Sequence, residues 1–298
     1  MKLRQAATLV GTAALLLAAA PTGAQAAPTA GCSINLGAVT DTGVHTFRTV
    51  TPPTSSAVVN TAGLFGPGRV TMSTSFIDTP QGVGTPDGSS IRYGYVVLGG
   101  ALMRLDYSTK PDGTLDAYTL DEINGAFTGY TAIELSQYGT LENGVSRQTF
   151  YALRADGTLE RRDLKKSWEP TGTFAGLPGI KSIALISQTA TYDTFLATTK
   201  AGGLYTLHIP VTSPMKVTVK TVRSSTWQGF ETLLANRCGP SGTLLVGIDK
   251  DTNTGHLYEL SRATGTSTTI KPVGPLPAGA PAPINFRWTP EIGNLNGE

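Results

Sequence analysis

The clearest structural signature of this chain is the stretch "FYALRADGTLERRDL", which runs from Phe150 to Leu164. It reads as an aromatic-aliphatic strand, a turn through glycine and a second alternating strand, which is typical of a β-hairpin. A similar stretch, "FLATTKAGGLYTLHI", runs from Phe195 to Ile209, so the hairpin begins again 45 residues later. A hairpin that recurs at such an interval indicates an internal repeat.

Two independent markers each give five copies of this repeat. The first is the apolar residue that follows the glycine turn, and it occurs at Val44, Leu102, Leu159, Leu204 and Leu257. The second is the apolar residue that opens another strand of each unit, and it occurs at Val70, Tyr130, Ile180, Phe230 and Ile284.

Each unit is predicted to hold four short strands. The clearest unit reads "GIKSIALIS", "YDTFLATTK", "GLYTLHIP" and "MKVTVKTV" between residues 179 and 222, with turn residues between the runs. Four antiparallel strands repeated about every 40–50 residues are the pattern of a β-propeller. We therefore predict an all-β, five-bladed β-propeller. The alternative is a β-sandwich in which these glycines are ordinary hairpin residues.

The two ends of the chain are predicted to share one blade. The segments "CSINLGAV", "GVHTFRT" and "SSAVVNT" between residues 32 and 61 read as its second, third and fourth strands, and "INFRW" at 284–288 reads as its first strand. The two cysteines, Cys32 and Cys238, are expected to form a disulfide that pins this closing blade to its neighbour. Lipidation of Cys32 is the alternative.

Residues 1–26 have the layout of a secretory signal peptide, with an alanine-rich core of bacterial type, and residues 27–298 are expected to form a single propeller domain. No other apolar run reaches the roughly 20 residues that a transmembrane helix needs. We therefore expect a secreted protein without membrane insertion, and a monomer.

Net charge argues against a polyanionic partner. The chain has 23 Lys and Arg against 21 Asp and Glu, and two of the bases, Lys2 and Arg4, lie in the predicted signal peptide. The mature protein is then close to neutral, and no concentrated basic face is visible of the kind that nucleic acid requires. The expected partners are a glycan or an extracellular protein.

The segment "DKDTNTG" is the one candidate metal site. Asp249, Asp251 and Asn253 alternate, as oxygen ligands do at the start of calcium loops. However, Thr254 and Leu260 stand where an EF-hand needs glycine and glutamate. We expect no cofactor and a polar hairpin tip, with Ca²⁺ as the alternative.

Catalytic patterns are sparse in this sequence. The three histidines, at positions 45, 208 and 256, fall on or beside strands of different units, where a satisfied structural role is the usual one. Glu134 and Glu231 lie on predicted first strands, but at different registers, so we do not expect them to face each other as glycosidase carboxylates do. The sequence therefore favours a protein that is not an enzyme.

Aromatic residues are the candidates for ligand binding, because sugars present flat C–H faces that stack on rings. Trp227 and its neighbour Gln228 lie at a loop–strand junction, Trp168 is predicted in a fourth strand and Trp288 in the closing first strand. The alternative is that these rings fill the space between blades. Trp227 is the best single platform in this reading.

The stretch "WQGFETLLANRCGPSGTLLVG", residues 227–247, resembles the repeat of the tachylectin family. That resemblance implies a five-bladed propeller lectin that binds N-acetylated sugars at sites repeated around the ring. The other units depart from it, because Phe127 and Leu177 stand at the tryptophan position. We therefore expect a non-catalytic carbohydrate-binding module. Alternatives are a propeller that binds a protein or peptide partner and, third, a glycoside-active enzyme.

Overall fold

In the computed structural model the chain is described over residues 31–79, 90–165, 168, 170–279 and 282–298, so the predicted signal peptide lies outside the described residues. All regular elements in these ranges are β-strands, and no helix there could cross a membrane. The strands are β1 Ile34–Val39, β2 His45–Thr51, β3 Thr54–Ser55, β4 Val59–Thr61, β5 Val70–Ser73, β6 Phe76–Thr79, β7 Ser90–Leu98, β8 Ala101–Thr109, β9 Leu115–Asn124, β10 Tyr130–Thr140, β11 Gly144–Arg154, β12 Leu159–Asp163, β13 Pro170–Phe174, β14 Ile180–Gln188, β15 Tyr192–Thr199, β16 Leu204–Pro210, β17 Thr218–Arg223, β18 Thr232–Cys238, β19 Gly242–Asp249, β20 Thr254–Leu260, β21 Ile270–Pro275 and β22 Ile284–Pro290.

Three sheets have four antiparallel strands each: β10–β13, β14–β17 and β18–β21. The predicted strands of the clearest unit coincide with β14–β17, which confirms the four-stranded repeat. The inner two strands of this sheet are buried on both faces, whereas β17 is mostly exposed. This gradient explains why apolar runs mark the first two strands and polar alternation marks the fourth.

The fourth sheet is larger than predicted and has ten strands. Its main path runs β3-β2-β1-β22-β6-β7-β8-β9, with β4 on β2 and β5 on β7. We expected two separate units here. They merge because the single strand predicted around Val70 is split into β5 and β6, and β6 pairs in parallel with β22 through Phe76 and Trp288.

The two ends of the chain meet as predicted. Strand β22 pairs antiparallel with β1, from Asn35 opposite Trp288 to Val39 opposite Ile284. The disulfide is also confirmed: Cys32 and Cys238 are bonded across 206 residues, with their Cα atoms 5.1 Å apart. It joins the start of β1 to the end of β18, in the neighbouring sheet, as the sequence indicated.

The innermost strands stand in a circle. Strand β5 contacts β10, β10 contacts β14, β14 contacts β18, β18 contacts β22, and β22 contacts β5 and β6. Each sheet radiates from this circle, which is the arrangement of a β-propeller. The last residues of the chain lie against the far ends of two inner strands: Asn294 Nδ2 donates to Gly139 O over 2.6 Å, and Gln188 N donates to Leu295 O over 3.1 Å.

Candidate ligand-binding site

Trp227 belongs to the core. Its side chain is only 6% exposed, and its ring packs against Phe230 and Tyr258 at centroid distances of 5.5 and 5.1 Å. The backbone N–H of Trp227 donates to the carbonyl of Gly202 over 3.0 Å. We expected an exposed platform, and the structure instead gives this ring a packing role.

The same contact recurs around the molecule at intervals of about 50 residues. In each case the backbone N–H of a buried apolar residue donates to the carbonyl oxygen of a glycine. That glycine lies in or beside the turn between the second and third strands of a repeat unit. The donors and acceptors are Phe127 and Gly100 (2.8 Å), Leu177 and Gly157 (3.2 Å), Trp227 and Gly202 (3.0 Å), and Leu276 and Gly255 (2.8 Å). A Cβ on Gly157 would lie 2.5 Å from the backbone of Leu177, so glycine permits this approach. This repeated position therefore serves packing, and a Trp, Phe or Leu side chain can each fill it.

Gln228 is exposed beside this contact. Its carbonyl accepts a hydrogen bond from Lys181 Nζ, and its side-chain oxygen lies over the turn at Gly202. Trp288 lies on β22 as predicted, but only 2% of it is exposed. Its Nε1 donates to Thr46 O over 3.0 Å, so both the face and the polar edge of this indole are occupied inside the protein.

Trp168 is the one tryptophan that reaches a cavity. It lies just before β13, is half-buried, and stands edge-on to Tyr95 and Phe150 at 5.1 and 5.4 Å. The cavity has a volume of about 180 Å³ and lies between the ten-stranded sheet and the β10–β13 sheet. We call it the inter-sheet cavity, and its lining residues are Leu102, Ile123, Asn124, Phe127, Arg162 and Trp168.

Two polar side chains face the inter-sheet cavity beside this indole. Arg162 Nη1 donates to Trp168 O over 2.7 Å, and its Nε is buried without a partner among the described residues. Asn124 is exposed, and its Oδ1 accepts from Ala126 N over 3.0 Å. An apolar ring plate beside fixed N–H donors is chemistry that suits a polar ligand with C–H faces.

Arg162 is held in place by a charged cluster. Glu160 accepts from Arg162 Nη2 over 2.8 Å, from Arg154 Nε over 2.5 Å and from Tyr130 Oη over 3.0 Å. Burial raises the pKa of Glu160, but hydrogen bonds from Arg162, Arg154 and Tyr130 outweigh it and leave the pKa below its usual value. The carboxylate stays ionised at neutral pH and fixes the guanidinium that faces the cavity.

A second cavity, of about 110 Å³, lies where the innermost strands begin. We call it the axial cavity. Residues near the starts of β5, β10, β14, β18 and β22 line it, and Lys250 joins them from the β19–β20 turn. Glu134 and Glu231 both line it, from the different strand registers that the sequence indicated.

Both carboxylates of the axial cavity already have partners. Glu134 is buried, and its Oε1 accepts from Ser75 N over 3.1 Å and from Leu135 N over 2.8 Å. Glu231 forms an ion pair with Lys181 and accepts from Lys250 N over 2.8 Å. Burial raises the pKa of Glu231, but these contacts bring it below its usual value.

The segment 249–255 is a hairpin tip between β19 and β20. Asp249 Oδ1 accepts from Thr252 N over 3.0 Å, so this carboxylate closes its own turn, and that bond lowers its pKa. Asp251 and Asn253 are exposed, and Asn253 takes the left-handed conformation, with φ of 54°. Calcium binding at this tip stays a prediction, which calorimetric titration of the parent and Asp249→Ala would test.

Comparison with known proteins finds no matching family model and no matching curated protein. Among solved structures the chain is similar to the fucose-specific lectin from Aleuria aurantia, with a TM-score of 0.48 and 13% identity over 84% of this chain and 75% of the lectin. It is also similar to α-L-arabinofuranosidases. For the Podospora anserina enzyme the TM-score is 0.47, with 9% identity over 79% of this chain and 84% of the enzyme. For the catalytic domain of the Coprinopsis cinerea enzyme the TM-score is 0.46, with 11% identity over 76% of this chain and 77% of that domain. Such values do not decide function, and the tachylectin resemblance stays a prediction.

Sequence reasoning missed the polar residues of the inter-sheet cavity. Asn124 and Arg162 come from different sheets, and nothing in their local sequence distinguishes them from exposed strand residues. The nearest available indication was the charge alternation "LERRD" at 159–163, which places Glu160 and Arg162 on one face of β12.

Proposed function

We propose that this protein is an exported, non-catalytic β-propeller that binds carbohydrate in the inter-sheet cavity. The observation that carries the proposal is the half-buried indole of Trp168 beside Arg162, whose Nε–H has no acceptor among the residues that the structure describes. A sugar ring stacks its C–H face on the indole, and its oxygens accept from Arg162 and exchange hydrogen bonds with Asn124. In this proposal Trp168 is the stacking platform, instead of Trp227, which the sequence had favoured.

An N-acetylated sugar is the class we favour. The acetamido group presents a carbonyl oxygen as an acceptor and a methyl group as an apolar contact. The Arg162 Nε–H is a donor that needs an acceptor, and Phe127 and Leu102 supply apolar lining. A buried donor that finds its partner only in the bound ligand gives selectivity, since a ligand without that acceptor leaves it unsatisfied.

We interpret the propeller as five-bladed and the protein as secreted. Five innermost strands line the axial cavity, and the ten-stranded sheet reads as two blades joined by the parallel contact between β6 and β22. The disulfide between Cys32 and Cys238 supports export, because such bonds persist in oxidising compartments.

The absence of catalysis is part of the proposal. Glycoside hydrolysis needs one carboxylic acid that can donate a proton. Glu231 has a lowered pKa through Lys181, and Glu134 accepts two backbone N–H groups, so structural contacts already engage both. We expect the protein not to hydrolyse aryl glycosides, even at substrate concentrations that saturate binding. Hydrolysis that is lost in the Glu134→Gln variant would contradict the proposal.

The test of carbohydrate binding is a titration of the protein with N-acetylglucosamine and with glucose, after a glycan array has identified the preferred sugar. Trp168→Ala should weaken binding at least about tenfold, and Trp168→Phe less, because a smaller ring keeps part of the stacking. Tyr118→Ala is the matched control, since Tyr118 is an aromatic residue that is 50% exposed on β9 and does not line the cavity. An array without any sugar signal, or equal affinity of Trp168→Ala and the parent, would overturn the proposal.

A further inference from the structure

The axial cavity is lined by a residue with a polar atom that finds no partner among the described residues. Asn285 is only 8% exposed, and it lines the cavity near the start of β22. Its Nδ2 donates to Ala282 O over 2.8 Å, whereas its Oδ1 is buried with no hydrogen-bond partner among the described residues. A buried acceptor without a donor destabilises the protein, and a bound donor would remove that cost.

A buried guanidinium lies directly beneath the axial cavity. A smaller cavity of about 10 Å³ adjoins it, and the two share Ser75, Glu134, Leu233 and Leu234. Arg287 lines the smaller cavity, is only 3% exposed, and has no partner for Nη1 among the described residues. The smaller cavity has room for about one water molecule, so Arg287 acts on a ligand above through its charge or through that water.

The charges around the two cavities do not balance. Lys181, Lys250 and Arg287 face two carboxylates, Glu134 and Glu231, which leaves one positive charge. Lys181 is already paired with Glu231. Lys250 is exposed and feels the charge of Glu231, but it forms no ion-pair contact with the described residues. One excess charge suits a singly charged anion, whereas a doubly charged phosphate would be repelled by the carboxylates.

The volume and the hydroxyl-rich wall limit the ligand further. A volume of about 110 Å³ is somewhat less than the ~150 Å³ that holds a benzene molecule, so a group of about five heavy atoms fits. Four hydroxyl-bearing residues are among the lining, and their hydroxyls also hydrogen-bond to the backbone around the cavity: Thr71, Ser73, Thr131 and Ser182. This lining suits a small polar group.

We propose that the axial cavity is a second ligand site, which binds a small hydroxycarboxylate or the terminal hydroxycarboxylate group of a sugar acid. Its carboxylate pairs with Lys250, its hydroxyl donates to Asn285 Oδ1, and Arg287 supplies the balancing charge from below. This site is separate from the inter-sheet cavity, since no residue lines both.

The experiment titrates the full-length mature protein with four probes by calorimetry or ligand-observed NMR. Glycolate has five heavy atoms and both required groups, acetate lacks the hydroxyl, ethylene glycol lacks the charge, and inorganic sulfate is doubly charged. We expect saturable binding of glycolate, weaker binding of acetate, and no saturable binding of ethylene glycol or sulfate. Equal binding of glycolate and ethylene glycol, or no saturable binding of glycolate, would overturn the proposal.

Variants assign the binding to the cavity. Lys250→Gln should weaken glycolate binding about tenfold, as loss of a charge-assisted hydrogen bond does. Lys200→Gln is the matched control, because Lys200 is exposed 50 residues earlier, in the corresponding turn, and does not line the cavity. Asn285→Ala should abolish the preference for glycolate over acetate. A Lys250→Gln protein that binds glycolate like the parent would contradict the site, as would an Asn285→Ala protein that keeps the preference.

The outcome is independent of the proposed sugar site. Trp168→Ala should leave glycolate binding unchanged, and Lys250→Gln should leave N-acetylglucosamine binding unchanged. If the sugar test fails and glycolate still binds, only the proposed function is lost. If glycolate fails and the sugar binds, only the axial site is lost.

Discussion

Arg147 and Asp193 form a doubly bonded ion pair that joins two neighbouring sheets. Arg147 Nη1 lies 2.5 Å from Asp193 Oδ2, and Nη2 lies 2.7 Å from Oδ1. Asp193 is fully buried, and it also accepts from Ser136 Oγ over 2.6 Å and from Tyr151 Oη over 2.8 Å. Since Arg147 and Tyr151 lie on β11 and Asp193 lies on β15, this cluster fixes the position of one sheet against the next.

Asp193→Ala should destabilise the protein by about 3–5 kcal/mol, because it leaves the largely buried Arg147 guanidinium without its counter-ion. Urea unfolding followed by tryptophan fluorescence measures the change. Asp251→Ala, at an exposed hairpin tip, is the control and should stay within about 0.5 kcal/mol of the parent. Equal stability of the two variants would mean that the ion pair does not hold the sheets together.

Replacing both cysteines by serine should lower the free energy of unfolding by about 5 kcal/mol. The bond closes a loop of 206 residues, and the entropy of the unfolded chain rises when that loop opens. Guanidinium unfolding with and without dithiothreitol provides the measurement. The reductant should destabilise the parent and leave the double variant unaffected, and any response of the double variant would point to a different cause.

Trp227→Ala should cost about 3–5 kcal/mol, because the indole fills the interface between the β14–β17 and β18–β21 sheets. Trp227→Phe should cost much less, since Phe127 occupies the corresponding position elsewhere in the ring. Thermal unfolding of the two variants compares them directly. If Ala and Phe were equally stable there, the position would not be the packing site that its burial indicates.

His45 should make the protein sensitive to acid. Burial, assisted by Arg92, lowers its pKa to about 3, whereas in the unfolded chain it is near 6.5. Below pH 6.5 the His45 side chain binds a proton in the unfolded chain but not in the folded protein. The free energy of unfolding therefore falls as the pH drops towards about 3, by up to about 1.4 kcal/mol per pH unit.

Unfolding free energies across this pH range test the role of His45. His45→Gln should reduce the slope, although it lowers stability overall by disturbing the 2.7 Å contact with Tyr107 Oη. His256→Gln is the control for the same substitution at an exposed position. Identical slopes in His45→Gln and the parent would assign the acid sensitivity to other groups.

Local patterns predicted the strands, and long-range contacts decided the sites. The four strands of β14–β17 follow from alternation and glycine turns, which act within a few residues. The parallel contact between Phe76 and Trp288 joins residues 212 positions apart, so no local pattern could indicate that two units merge. The cavities depend on the same kind of contact, because Trp168 and Asn124 meet only when two sheets pack side by side.

The aromatic pattern was ambiguous for a physical reason. Large rings fill gaps between sheets as readily as they bind ligands, and sequence spacing reports the repeat without reporting exposure. Trp227 and Trp288 lie within four residues of the repeat markers Phe230 and Ile284, and both are buried. Trp168 lies nine residues beyond its nearest marker, Leu159, and it lines the inter-sheet cavity.

The pairing of β1 with β22 also constrains the order in which the protein can form. Strand β1 is synthesised before β22, its hydrogen-bonding partner on one side, and twenty of the described strands lie between them in the chain. Until β22 emerges, that edge of β1 carries unpaired backbone groups that could recruit another nascent chain. Synthesis must therefore proceed through β22 before the ring can close.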